Sequence, residues 1–137
     1  MTRNHTFLKN TIVWLRTKGY APKLTHYCCA YDLVVNGLRV EVKEARPLKR
    51  HKRHTYWQAN IHRHGRVKES EVDVYIIRLV GIPEFTAALY LLIPAPLKTP
   101  TLKITLRSLL QRYGVYVDNM QLLGEPTEPV YQRKEGR

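Results

Sequence analysis

Cysteine is almost missing from this chain, and the two it has, Cys28 and Cys29, are adjacent. Neighbours on a strand point to opposite faces, which excludes a disulfide between them. No second Cys or Cys/His pair stands at metal-binding spacing, so a zinc site is excluded too. Long apolar runs are lacking as well. The longest, Ala87 to Ile93, is too short to span a bilayer, and Met1 to Asn10 is polar and contains no signal-like apolar core. These absences predict a soluble protein of a reducing interior, without membrane contact. Acidic residues are scarce: 11 face 23 lysines and arginines in 137 residues, a formal net charge of +12. A surplus that large on a small domain calls for a polyanionic partner, nucleic acid first and an anionic membrane surface second. Charge alone also suits a ribosomal or chromatin-like structural protein.

Hydrophobic residues make up 44% of the chain, enough for one packed core, and the length suits a single domain. Thr6 to Lys18 spaces its apolar residues as an amphipathic helix does, and Gly19 is a natural stop. Tyr20 to Leu24 predicts a short strand kept at a sheet edge by Pro22. Tyr27 to Lys43 is the clearest segment: two β-rich runs flank Asn36-Gly37, the dipeptide of a two-residue hairpin turn. That turn sets Leu33 opposite Val40 and Asp32 opposite Glu41. Alternation then puts Tyr31, Leu33, Val35, Leu38, Val40 and Val42 on a core face, and Asp32, Val34, Arg39, Glu41 and Lys43 on the other.

Farther along, Ala45 to His54 is basic and aperiodic and predicts a mobile loop. Thr55 to Ile61, Val72 to Val80 and Ala87 to Ile93 predict strands, with a polar loop over His62 to Ser70. Pro94, Pro96 and Pro100 interrupt the chain. Leu106 to Tyr113 predicts a helix capped by Thr105 and ended by Gly114, and a short helix is expected over Val117 to Leu123. The polar stretch 124–137 predicts a disordered tail after a single domain over 1–123. No internal repeat interrupts this order, which is that of a mixed α/β or α+β domain.

Chemistry concentrates on the polar face of the hairpin. Directly opposed Cβ atoms lie roughly 4.5–5.5 Å apart, so Asp32 and Glu41 are close enough to share one cation. Without a cation the two carboxylates would repel. Magnesium favours one or two carboxylates together with water and phosphate oxygens, and the Lys43 ammonium, two residues on, can hold a phosphate or polarise an attacking water. The bland alternative is a solvated face on which Arg39 and Lys43 neutralise the two acids. The basic residues Arg46, Lys49, Arg50, Lys52 and Arg53, then Arg63 and Arg66, suit phosphate contacts. Asp73 stands in reserve as a supporting acid.

Asp32 followed by Glu41-Val42-Lys43 on the adjacent strand resembles the PD-(D/E)XK nuclease superfamily, with Tyr31 in the place of the proline. The resemblance spans roughly residues 4 to 115. It implies a restriction-endonuclease-like fold, a central mixed β-sheet flanked by helices. It also implies an endonuclease dependent on magnesium, for which manganese substitutes. Asp32 and Glu41 would bind the metal by side chains and Val42 by its backbone carbonyl, Lys43 would be catalytic, and Gln58 on the next strand would orient the water. Within the superfamily, size, basicity and Leu15-Arg16-Thr17-Lys18-Gly19-Tyr20 look like the archaeal and phage-type Holliday junction resolvases. Those enzymes carry a glutamate earlier in that helix, where His5 to Asn10 holds no acid. The resemblance implies a homodimer nicking four-way DNA junctions during recombination, in the cytoplasm of a prokaryotic or phage-infected cell. A site-specific homing or restriction-type endonuclease on the same fold, and a non-catalytic nucleic-acid-binding protein, are the competing readings.

Overall fold

The computed structural model describes residues 6–25, 31–50, 54–61, 71–83, 85–97, 99 and 101–127, with the side chains of 49, 50 and 54 left aside. Cys28, Cys29, Lys52, Arg53, Arg63 and Arg66 fall outside the described residues, as do residues 62–70, where a loop is expected, and the chain from 128 onward. The protein is a mixed α+β domain with a seven-stranded sheet. Helix α1 spans Thr6–Thr17 and buries Leu8, Thr11 and Leu15, a helical stripe. It closes as a Schellman motif: Tyr20 N–H donates to Leu15 O at 3.1 Å and Gly19 N–H to Arg16 O at 3.0 Å. Gly19 supplies the φ of +91° that this ending requires.

Strands β1 (Lys23–Leu24), β2 (Leu33–Val35) and β3 (Leu38–Arg50) follow. The Asn36-Gly37 turn has positive φ at both residues, 52° and 78°, as the hairpin reading requires. The register is the expected one from Val35↔Leu38 to Leu33↔Val40. Among the described strands β1 lies at the edge, paired with β2 alone. β3 then continues to Arg50 and pairs with β4 (His54–Asn60). Residues Ala45 to Arg50 are therefore strand, where the sequence predicts a mobile loop. The misleading residue is Pro47. Odd-numbered residues of β3 aim their backbone groups at β5 (Val74–Leu79), as shown by Asp73 N–H to Arg39 O and Val80 N–H to Ala45 O. The β5 ladder ends at Ala45↔Leu79, so beyond it Pro47 lacks an N–H that no ladder bond uses. Strand β6 (Leu89–Pro94) pairs with β5, and β7 (Thr101–Ile104) with β4. β7 lies among the prolines and was not expected. Helix α2 (Leu106–Gln111) starts at the expected cap, with a capping box between Thr105 and Ser108.

All pairings are antiparallel except β3 with β5. The sheet buries both faces. Leu33, Val35, Val40, Val42 and Ile76 pack with Leu8 and Leu15 of α1. Ala45, Trp57, Tyr75, Ile77 and Leu102 pack on the other side with Leu109 of α2. Tyr31 joins this second cluster and not the α1 side. Asp32 N–H reaches Val40 O at 2.9 Å although Val40 is the register partner of Leu33, so two residues face one, as at a β-bulge, and the alternation breaks. The domain also reaches past residue 123, where a disordered tail is expected. Asn36 Nδ2 donates to the carbonyls of Leu123 and Glu125, and the Tyr20 hydroxyl to that of Gly124 at 2.6 Å. Among the described residues no helix is long and apolar enough to cross a membrane.

The parallel β3–β5 junction opens on a clamp. Asp73 accepts from Arg39 N–H at 2.8 Å, from Arg39 Nε at 3.0 Å and from Arg39 Nη2 at 3.0 Å. The Arg39 guanidinium, then its backbone N–H, hold the Asp73 carboxyl below the usual carboxylate range. A depressed carboxylate contributes stability that is full above its unfolded value, about pH 4, and lost as the pH falls through the lower folded value. Asp73→Asn is therefore expected to lower Tm at pH 7 and to approach the wild type in acid. Parallel melting curves at pH 7 and pH 3 check this, and an equal Tm gap at both would refute the clamp's electrostatic role.

Candidate active site

The site is built on a change of partner along β3. Among the described residues, 38–40 pair with β2 and 46–50 with β4, and between them 41–45 pair with β5 alone. Backbone groups of even-numbered residues aim away from β5. In this interval the Val42 N–H has no strand partner among the described residues and donates to Asp32 Oδ2 at 2.8 Å. The Asp32 side chain thus replaces a strand carbonyl and is fixed in place by the bond. A residue in a strand sends its N–H and C=O to the same edge, so the Val42 carbonyl opens toward the edge that Asp32 occupies. Asp32 Oδ1 retains acceptor capacity beyond that bond.

Glu41 and Lys43 project together from the opposite parity, on the face that carries Tyr75 and Ile77. Lys43 Nζ lies 3.0 Å from Glu41 Oε2, with the Glu41 side chain 12% and the Lys43 side chain 25% exposed. Both are well withdrawn from water, where a charge interaction is stronger than at a surface. Arg39, expected as a second neutralising partner, turns to Asp73. Asp73, the reserve acid, is correspondingly committed to that clamp.

On the α1 side of the same interval a further ion cluster appears that sequence reasoning missed. Glu44 bridges Arg78 at 2.6 Å and Arg46 at 2.8 Å, and Arg78 Nε donates to the Tyr90 hydroxyl at 3.1 Å. Tyr90 stacks on Trp14 of α1 with centroids 4.0 Å apart. A signal was present: Arg78 is the one charge in the run Val74–Leu79, and a charge in a buried strand demands a partner. This cluster ties α1 to the strand that carries Glu41 and Lys43.

The structure places Glu41, Val42 and Lys43 in one interval of β3 and joins Asp32, which precedes β2, to it through the Val42 N–H. The expected pairing of Asp32 with Glu41 is not part of the ladder, which ends at Leu33↔Val40. It does not bring Gln58 to them. Gln58 pairs with Arg46, an even-numbered position, whereas Trp57 and Ala59 share the buried face of Ala45. Gln58 therefore lies on the face opposite Glu41 and Lys43. Arg46 is exposed, at 68% of its side chain, and its Nε is held by Glu44. Lys49 and Arg50 are on β3 by backbone.

Asp32, Glu41 and the Val42 carbonyl are the oxygen donors of this interval, the ligand type that a hard divalent cation prefers. Among the described residues no group of three or more His, Cys, Asp and Glu gathers, and the arrangement above requires only two carboxylates. Comparison with protein-family models, with curated proteins and with solved structures gives no match to this chain.

Proposed function

We propose that this chain is a metal-dependent endodeoxyribonuclease of restriction-endonuclease-like fold that acts on branched DNA as a homodimer. The observation that carries the reading is the Asp32–Val42 bond. It fixes one carboxylate beside a backbone carbonyl on an interval of β3 whose next side chains are a half-buried acid and lysine. A structural ion pair needs Glu41 and Lys43 alone; it does not need an aspartate held at a break in strand pairing. Asp32, Glu41 and the Val42 carbonyl would hold magnesium or manganese. When bound, such an ion activates water and stabilises charge on the phosphate. Lys43 offers ammonium donors to a non-bridging phosphate oxygen from beside Glu41. The net charge of +12 draws the DNA backbone to the domain, and junction preference follows from phosphates presented at angles that straight duplex lacks. Two sites related by a two-fold axis are what symmetric nicking of a four-way junction needs.

The test is cleavage of a labelled four-way junction with magnesium, beside a linear duplex of matched sequence. Nicks at symmetric positions on the junction and sparing of the duplex support the reading. Equal cutting of both removes the junction preference and leaves a nuclease; no metal-dependent cutting of either removes the nuclease. Light scattering at working concentration is expected to show a dimer. Affinity is expected to fall steeply with salt, with a slope of about −0.9 in log K against log salt for each phosphate neutralised. Replacing Lys49, Arg50, Lys52 and Arg53 together is expected to flatten the slope by roughly three units on the same reasoning; an unchanged slope would move the DNA surface elsewhere.

A further inference from the structure

We infer that the solvent face of the β3–β4–β7 corner is a second DNA surface, a platform for unpaired nucleotides, separate from the Glu41–Lys43 face. Its residues follow from register. Arg46 pairs with Gln58 and Gln58 with Lys103, so these three form one row across three strands. Leu48 pairs with Tyr56 and forms the next row. The partners on the other parity, Trp57, Ala59, Leu102 and Ile104, are buried, which turns these rows outward. Arg46 and Lys103 are exposed, Leu48 is 43% exposed, and Tyr56 and Gln58 are half-exposed.

Charge and chemistry together select the occupant. Among the described residues of these three strands the carboxylate that shares this parity is Glu44. Its side chain is 11% exposed and is already held by Arg78 and Arg46. The open part of the face is therefore cationic, and an anion is its complement. Phosphate alone does not account for the second row, because Leu48 and the Tyr56 ring gain nothing from a phosphate. They gain from the flat face of a base. Lys103 Nζ stands 5.7 Å from the Tyr56 ring centroid, so a cation and a stacking ring lie within one nucleotide's reach. Between the two cations, the Gln58 amide can both donate to and accept from a base edge. Duplex DNA hides its base faces in the stack, whereas single-stranded DNA presents base face, base edge and phosphate together. Single-stranded DNA is thus the partner this face fits, such as the unpaired nucleotides at a branch.

The test uses the full chain with EDTA, so that binding is read without cleavage. Fluorescence anisotropy is measured with a labelled oligothymidylate and with a duplex. Tyr56→Ala is expected to weaken single-strand binding roughly tenfold or more, the strength of one base–aromatic stack, with duplex binding within about twofold. Tyr56→Phe, which keeps the ring, is expected to bind as the wild type does. Lys103→Ala, a change at an exposed site, is expected to lower the single-strand salt slope by about 0.7. Magnesium-dependent cleavage of a junction at saturating enzyme is expected to be unchanged by Tyr56→Ala. Equal loss on both DNAs, equal loss in Tyr56→Phe, or single-strand affinity of Tyr56→Ala within twofold of the wild type would each overturn the platform. A chain that binds oligothymidylate through Tyr56 yet cuts nothing would retain the platform and lose the nuclease.

Discussion

Asp32→Asn and Glu41→Gln are each expected to reduce magnesium-dependent cleavage to the metal-free background, while DNA affinity measured in EDTA stays within about twofold, since it comes mainly from the basic residues. The choice of amide matters because Asp32 has two tasks. Its Oδ2 accepts the N–H of Val42, a residue only 2% exposed, and its charge is the proposed ligand. Asparagine keeps an acceptor oxygen for Val42 while removing the charge, so the fold survives and the chemistry fails. Asp32→Ala leaves the Val42 N–H unsatisfied in the interior, a loss of about 1–3 kcal/mol and a Tm lower by several degrees. The pair of variants thus separates the structural task from the chemical one. Near-normal cutting by Asp32→Asn or Glu41→Gln would dismiss the site. Equal Tm values for Asp32→Asn and Asp32→Ala would dismiss the hydrogen bond as a structural element.

How far the sequence anticipated this arrangement depends on the range of the forces involved. Where local chemistry decides, the reading was direct. Asn36-Gly37 can form few other turns, and that turn fixes the ladder from Leu33 to Val40. Gly19 ends α1 and Thr105 caps α2 for equally local reasons. Alternation also placed Glu41 and Lys43 on one face, but it did not deliver the pairing of Asp32 with Glu41, because the ladder ends at Leu33↔Val40. The reading failed where a neighbour distant in sequence decides. Pro47 reads as a strand breaker in sequence, because which edge its nitrogen faces, and that the β5 ladder stops at Ala45, are set by a strand distant along the chain. Tyr31 changes sides because Asp32 and Leu33 both face Val40, which adds one residue to the strand's alternation. Gln58 was placed by a family pattern, and strand parity then sets it across the sheet from Glu41. The assignments of Arg39 and Asp73 show the same limit. Each is a plausible member of the site in sequence, and each is taken by the other in three dimensions.

Lys43→Ala is expected to slow cleavage by roughly two decades or more, as for a group that acts on transition-state charge, and at the same time to tighten metal binding. The two effects have one origin. In the free protein the Lys43 ammonium lies 3.0 Å from Glu41 Oε2, so a cation approaching Glu41 meets a positive charge beside it. Removing that charge lowers the repulsion and also leaves a largely buried carboxylate without this partner. The variant should therefore be less stable than the wild type in EDTA and should gain more Tm from added magnesium, because a ligand stabilises the native state according to its affinity. Lys43→Met retains most of the aliphatic stem and should show the same kinetic loss with less disturbance of packing. Titration calorimetry with manganese, melting curves with and without magnesium, and single-turnover cleavage provide the three readouts. Weaker metal binding in both variants would show that Lys43 holds Glu41 in position for the ion and does not compete with it. Unchanged cleavage would leave the pair a structural ion bridge and return the catalytic lysine to the search.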